Sequence, residues 1–170
     1  MRNIEIKAKV RDLTNLLSKA EHVSNSKGCI INQYDTFYKV PQGRLKLRKF
    51  ESGDSELIFY ERPDAEGPKM SSYEKCCIKS IETDALSNVL GKALGFDGTV
   101  KKTRHLFMVE KTRIHVDIVE GLGTFMELEV ALGPNESIEE GEIIARLLMK
   151  KLGIDTEDLL AGAYSDMLKK

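Results

Sequence analysis

The sequence predicts an antiparallel α+β domain whose strands close into a barrel with helices packed outside. Three observations carry that reading. Apolar and polar residues alternate with a period of two through many short stretches separated by turn residues, the signature of strands with two unlike faces. The order is strand, helix, then mostly strands with one helix inserted, then helices, without the regular strand–helix alternation of a parallel sheet. The strands are also too many for a simple two-layer sheet, and closure removes the exposed edges.

Ile4, Ile6, Ala8 and Val10 fall on one face of the first strand, with Glu5, Lys7 and Lys9 on the other. Asp12 is placed to cap a helix over about 13–22, striped by Leu13, Leu16, Leu17 and Ala20. A strand over 33–40 leads through Pro41-Gln42-Gly43 into a third over 44–50, where Arg44, Lys46 and Arg48 share a face opposite Leu45 and Leu47. Residues 56–61 read as a fourth strand, 63–69 as a loop, and 71–79 as a weaker strand. Thr83 or Asp84 can cap a helix that ends at Gly95. A strand over 100–109 sets Lys102 and Arg104 at one parity. A hairpin over 114–130 turns at Gly121-Leu122-Gly123 and gathers Asp117, Glu127 and Glu129. An amphipathic helix over 138–152 is closed by Gly153, and a short helix over about 156–168 ends the pattern. No domain boundary interrupts residues 1–170.

Lys plus Arg (26) nearly cancel Asp plus Glu (27), and a net charge of −1 argues against a general nucleic-acid or membrane-surface binder. Three cysteines, two of them adjacent, build neither a disulfide framework nor a metal-ligand spacing. With no apolar signal core at the N-terminus and no membrane-length stretch, a cytoplasmic location is expected.

The polar strand faces carry both signs of charge in separate groups. Taken singly, an alternating Lys/Arg strand is most simply a wet face, and His115 beside Asp117 is most simply a structural hydrogen bond. Taken together, converging faces would build a lumen with a cationic and an anionic region. Arg and Lys suit phosphate oxygens, and grouped carboxylates, which repel one another when close, suit Mg²⁺ or Mn²⁺. A triphosphate with a divalent ion satisfies both regions at once.

Glu5-x-Lys7, Asp35-Thr36-Phe37-Tyr38, Arg44-Leu45-Lys46-Leu47-Arg48, Lys102-x-Arg104, His115-x-Asp117, Gly121-Leu122-Gly123-x-Phe125, Glu127-x-Glu129 and Tyr164 occur in that order. In this the chain resembles the CYTH domain, the triphosphate tunnel metalloenzymes that include class IV adenylyl cyclases and thiamine triphosphatases. The resemblance implies an eight-stranded antiparallel barrel forming a tunnel. It implies triphosphate binding by Lys7, Lys9, Arg44, Lys46, Arg48, Arg62, Lys102 and Arg104, metal binding by Glu5, Asp117, Glu127 and Glu129, and catalytic roles for Glu5 and Lys7. Asn3 stands where the family motif Glu-x-Glu-x-Lys has its first acid, Arg62 takes the place of a Lys, and the next strand keeps Glu74 from an Arg/Glu alternation. The expected partner is a small triphosphate, handled by a monomer or homodimer: hydrolysed in the leading reading, cyclised from ATP in the second, or merely bound in the third.

Overall fold

In a computed structural model, which describes residues 1–169, eight antiparallel strands close a barrel in the order β1-β5-β4-β3-β2-β6-β7-β8. The strands are β1 (Arg2–Lys9), β2 (Cys29–Tyr38), β3 (Arg44–Phe50), β4 (Ser55–Glu61), β5 (Lys69–Ile78), β6 (Phe96–Val109), β7 (Thr112–Val119) and β8 (Gly123–Leu132). Four helices accompany them: α1 (Leu13–Ser24), α2 (Ser80–Leu94), α3 (Ile138–Leu152) and α4 (Tyr164–Leu168).

The main apolar core lies outside the barrel wall. Ile4, Ile6 and Ala8 of β1, Ile114 and Val116 of β7, and Met126, Leu128 and Val130 of β8 all turn outward and are fully buried under α1 and α3. Leu16, Ala20, Ala145, Leu148 and Leu152 meet them from the helices. Every apolar parity read in these strands points to that layer, so the opposite, charged parity has to face the lumen. Gly141 lets α3 settle on the wall, since a Cβ there would lie 2.5 Å from Ile4 Cγ1. Asp12 caps α1 by accepting the Asn15 N–H at 3.0 Å, and Ser137 with Glu140 forms a capping box on α3.

Some boundaries differ from the sequence reading. β2 begins at Cys29 and β6 at Phe96, because these two strands pair along their length from Cys29 with Leu106 to Tyr38 with Phe96. α2 starts at Ser80, ahead of Thr83 and Asp84. The Asp54 carboxylate, from the β3–β4 turn, accepts the Ser80 N–H at 3.0 Å and caps the helix from a distance in sequence. Thr83 is instead buried against Ser55, hydroxyl to hydroxyl at 2.7 Å.

The helix expected over 156–168 splits into a 3-10 turn at Thr156–Asp158 and α4. Between them Leu159 pairs with Ala8 and the Leu160 N–H donates to the Lys7 carbonyl, so β1 claims this backbone for itself. Glu74 does not face the lumen. It is exposed beside the N-terminal amino group, while Ser71, Tyr73 and Lys75 occupy the inward parity of β5. Among the described residues, no helix is long and apolar enough to cross a membrane.

Candidate functional site

The lumen is a cavity of about 490 Å³ reached by side chains from all eight strands. On the β6–β7–β8 side, Asp117 is fully buried and engaged by cations. Arg104 grips it through two bonds of 2.7 and 2.6 Å, and Lys102 donates at 3.2 Å. The Tyr164 hydroxyl adds a fourth bond, at 3.1 Å. Burial opposes the charge, but Arg104 and Lys102 outweigh it and hold Asp117 well below the usual carboxylate range. Lys102, buried and beside Arg104, is pushed down to about 7.

A second anchor lies on β2, the neighbour of β6 on the side away from β7. Asp35 of β2 accepts two bonds of 2.8 Å from Arg48 and one of 3.0 Å from Lys46. Lys46 also lies 5.4 Å from the Tyr60 ring centroid and 5.6 Å from that of Phe37. Each carboxylate holds a pair of cations in place, with both pairs facing one lumen.

β1 supplies the link between the two signs of charge. Lys7, almost fully buried, sits 3.2 Å from Glu127 Oε1, donates to the Gly162 carbonyl at 3.1 Å, and lies 3.8 Å from the Tyr164 ring centroid. Burial lowers its pKa while Glu127 opposes the shift. Glu5 bonds to Arg62, whose other terminal nitrogen donates to Gly162. Burial raises Glu5 and Arg62 works against that rise. Gly162 has φ +80°, a backbone state that favours glycine, and turns its carbonyl toward both cations.

The anionic region centres on β8. Glu127 Oε2 accepts from Arg104 at 2.8 Å, and Glu129 Oε2 accepts from Arg113 at 2.8 Å. His115, with Glu127 and Glu129, offers ligand atoms all within 4.8 Å of one another. Burial first, then Arg104, lowers the His115 pKa and keeps the imidazole neutral. Two ionised carboxylates and a neutral imidazole with an unpartnered Nδ1 form a donor set that fits a divalent cation.

The barrel therefore brings together Glu5, Lys7, Lys46, Arg48, Arg62, Lys102, Arg104, Glu127 and Glu129 around one cavity. Lys9 shares their parity but lies at the end of β1, exposed beyond the lumen. Arg44 is at the rim, bonded to Asp64 and Asp166, each at 2.8 Å. Asp117 stands apart from the candidate ligand group, its oxygens given to Arg104, Lys102 and Tyr164 instead of the anticipated bond with His115.

Sequence reasoning had not singled out Arg113, Lys75 or Lys69, nor given Asp35 its anchoring part. Arg113 is two residues from His115 and Asp35 two from Phe37, so parity alone could have found both. Lys69 read as loop, yet it is buried at the start of β5 and donates to the Ala65 carbonyl at 2.7 Å.

The structure is of the closed antiparallel barrel class, with paired cations and clustered carboxylates lining one lumen. The CYTH domain model matches residues 1–164, and the chain belongs to that family. A protein of Methanocaldococcus jannaschii, named as a candidate adenylate cyclase, is 22% identical over 178 residues, covering 98% of each chain. A solved structure from Pyrococcus horikoshii OT3 superposes with a TM-score of 0.82 at 23% identity, over 98% of this chain and 99% of that one. Another, described as a candidate adenylate cyclase from Vibrio parahaemolyticus, has a TM-score of 0.79 at 19% identity, over 99% and 98%.

Proposed function

We propose that the protein is a divalent-metal-dependent phosphohydrolase acting on inorganic triphosphate or a small organic triphosphate. The observation that carries the reading is the lumen's paired arrangement: Lys46 with Arg48 on Asp35, and Lys102 with Arg104 on Asp117, facing one cavity. Cations already oriented by buried carboxylates need no reorganisation to meet phosphate oxygens. A phosphate chain entering between them replaces part of what each carboxylate now supplies.

His115, Glu127 and Glu129 would hold a divalent cation, which would supply positive charge for a bound phosphate chain. Everything else belongs to the chain. Glu5, raised by burial, is the carboxylate suited to orient a water and accept its proton. The water oxygen bonds to the terminal phosphorus as the bond to the bridging oxygen breaks, giving orthophosphate and diphosphate. Lys7, fixed by Glu127, Gly162 and the Tyr164 ring, meets charge developing on that bridging oxygen.

Cyclisation of ATP to cyclic AMP and pyrophosphate is the second reading, favoured by the names of two relatives and by the Phe37, Ile58, Tyr60 and Val100 lining, an apolar patch suited to an organic group. Incubation with inorganic triphosphate or ATP, under Mg²⁺, Mn²⁺ or EDTA, followed by ion-exchange separation, distinguishes them. Orthophosphate release that stops with EDTA, and that falls at least about 100-fold in Glu127→Gln, supports hydrolysis. Cyclic AMP with pyrophosphate makes the cyclase the right reading, and tight binding without turnover under any metal leaves a binding module.

A further inference from the structure

Among the described residues, four buried side-chain atoms lack a hydrogen-bond partner: Asn3 Oδ1, Gln33 Oε1, Arg62 Nε and His115 Nδ1. His115 is the one aimed between two carboxylates. Its Nδ1 lies 3.7 Å from Glu127 Oε2 and 3.7 Å from Glu129 Oε1. Both separations are too long for a hydrogen bond. His115 is only 3% exposed, yet it lines the cavity. Leaving such a nitrogen unsatisfied is costly unless something bonds to it.

One ion explains the spacing. Ligand bonds of about 2.1 Å put two donor atoms roughly 3.0 Å apart at a right angle and about 4.2 Å apart in line, which brackets the separation seen here. The neighbouring charges bear on which ion. Glu127 already shares its oxygens with Arg104 and Lys7, and Glu129 shares one with Arg113. Glu5 is committed to Arg62. Asn3, in the same cavity, offers a neutral carbonyl oxygen where a further carboxylate would add charge. The set is poor in free negative charge and contains a nitrogen. Mg²⁺ prefers oxygen donors in near-ideal octahedral geometry, whereas first-row transition ions accept imidazole readily.

We propose that His115 Nδ1 joins Glu127 and Glu129 in a mixed nitrogen–oxygen site that selects Mn²⁺ over Mg²⁺. The proposal rests on the reading that this tunnel holds a divalent cation, and deepens it by naming the residue that sets metal preference.

The test is pulsed electron paramagnetic resonance on the purified full chain loaded with Mn²⁺, alongside calorimetric titration with Mn²⁺ and with Mg²⁺. A nitrogen coupling from directly bound imidazole is expected in the wild type and absent in His115→Gln, since His22 and His105 remain in that variant. The titrations are expected to favour Mn²⁺ by about tenfold or more, with His115→Gln closing most of that gap through weaker Mn²⁺ binding. Bound Mn²⁺ without nitrogen coupling in the wild type would overturn the role of His115 while leaving a carboxylate metal site standing. Wild-type protein that binds neither ion overturns the metal reading itself, and the proposal with it. The wild-type spectrum needs no variant, so a misfolded His115→Gln does not blunt the test.

Discussion

Asp117 and Asp35 do the same work from the two strands that flank β6: each is a buried carboxylate whose value lies in the cations it holds. Removing such a charge leaves its partners buried and uncompensated, at a cost of about 3–5 kcal/mol. Asp117→Asn is therefore expected to lose stability of that order, read as a lower urea midpoint. The Asp35 carboxyl is held well below its ordinary value of 3.8, because Arg48 and Lys46 outweigh the cost of burial. A depressed folded-state pKa gives stability that is complete above the unfolded value and lost as pH falls below it. Between about pH 4 and pH 2 this group is expected to remove up to about 1.4 kcal/mol of stability per pH unit. Urea denaturation at pH 5, 4, 3 and 2 measures the slope, and Asp35→Asn, less stable at pH 6, should show a flatter acid limb. Asp117 was visible in the sequence on the charged face of its strand, whereas Asp35 was seen only as part of a strand motif. That Asp117 would serve Arg104, Lys102 and Tyr164 was not visible, because those partners lie 13, 15 and 47 residues away.

At the scale of elements, strands were legible wherever one face is uniformly apolar, as in β1, β7 and β8 against the helix layer. Elements whose ends are set by distant groups were not. α2 begins early because Asp54 caps it, and the expected last helix breaks because β1 takes the backbone at Leu159 and Leu160. Docking of α3 depends on a single small residue, where a Cβ would meet Ile4 Cγ1 at 2.5 Å and Leu132 Cδ2 at 2.8 Å. Gly141→Val is expected to lift the helix and cost about 1–3 kcal/mol by overpacking, detected as a lower denaturation midpoint. Ser137→Ala, which removes half of the capping box on the same helix, should cost about 0.5–2 kcal/mol by the same measurement.

The whole molecule places an apolar layer outside the barrel wall and a charged lumen inside it, so its stability is tied to what the lumen holds. A ligand that binds the folded chain alone stabilises it by about 2.7 kcal/mol at a hundred times its dissociation constant. For a chain of 170 residues that corresponds to a rise in Tm of roughly 5–10 °C. Inorganic triphosphate at saturation is expected to give a rise of that size in a thermal melt. The double variant Lys46→Met, Arg48→Met should remove most of it.

The alternation of apolar and charged residues was by itself enough to locate the strands, though not all their ends, and to group the two signs of charge on their polar faces, because side-chain direction in a strand follows from position along the chain. The tertiary structure alone decided which charges meet. The register of β6, β7 and β8 set His115 opposite Glu127 and Asp117 opposite Arg104, and the end of β1 left Lys9 beyond the rim. Those outcomes depend on register and on strand ends, which are fixed by hydrogen bonds between residues far apart in the chain.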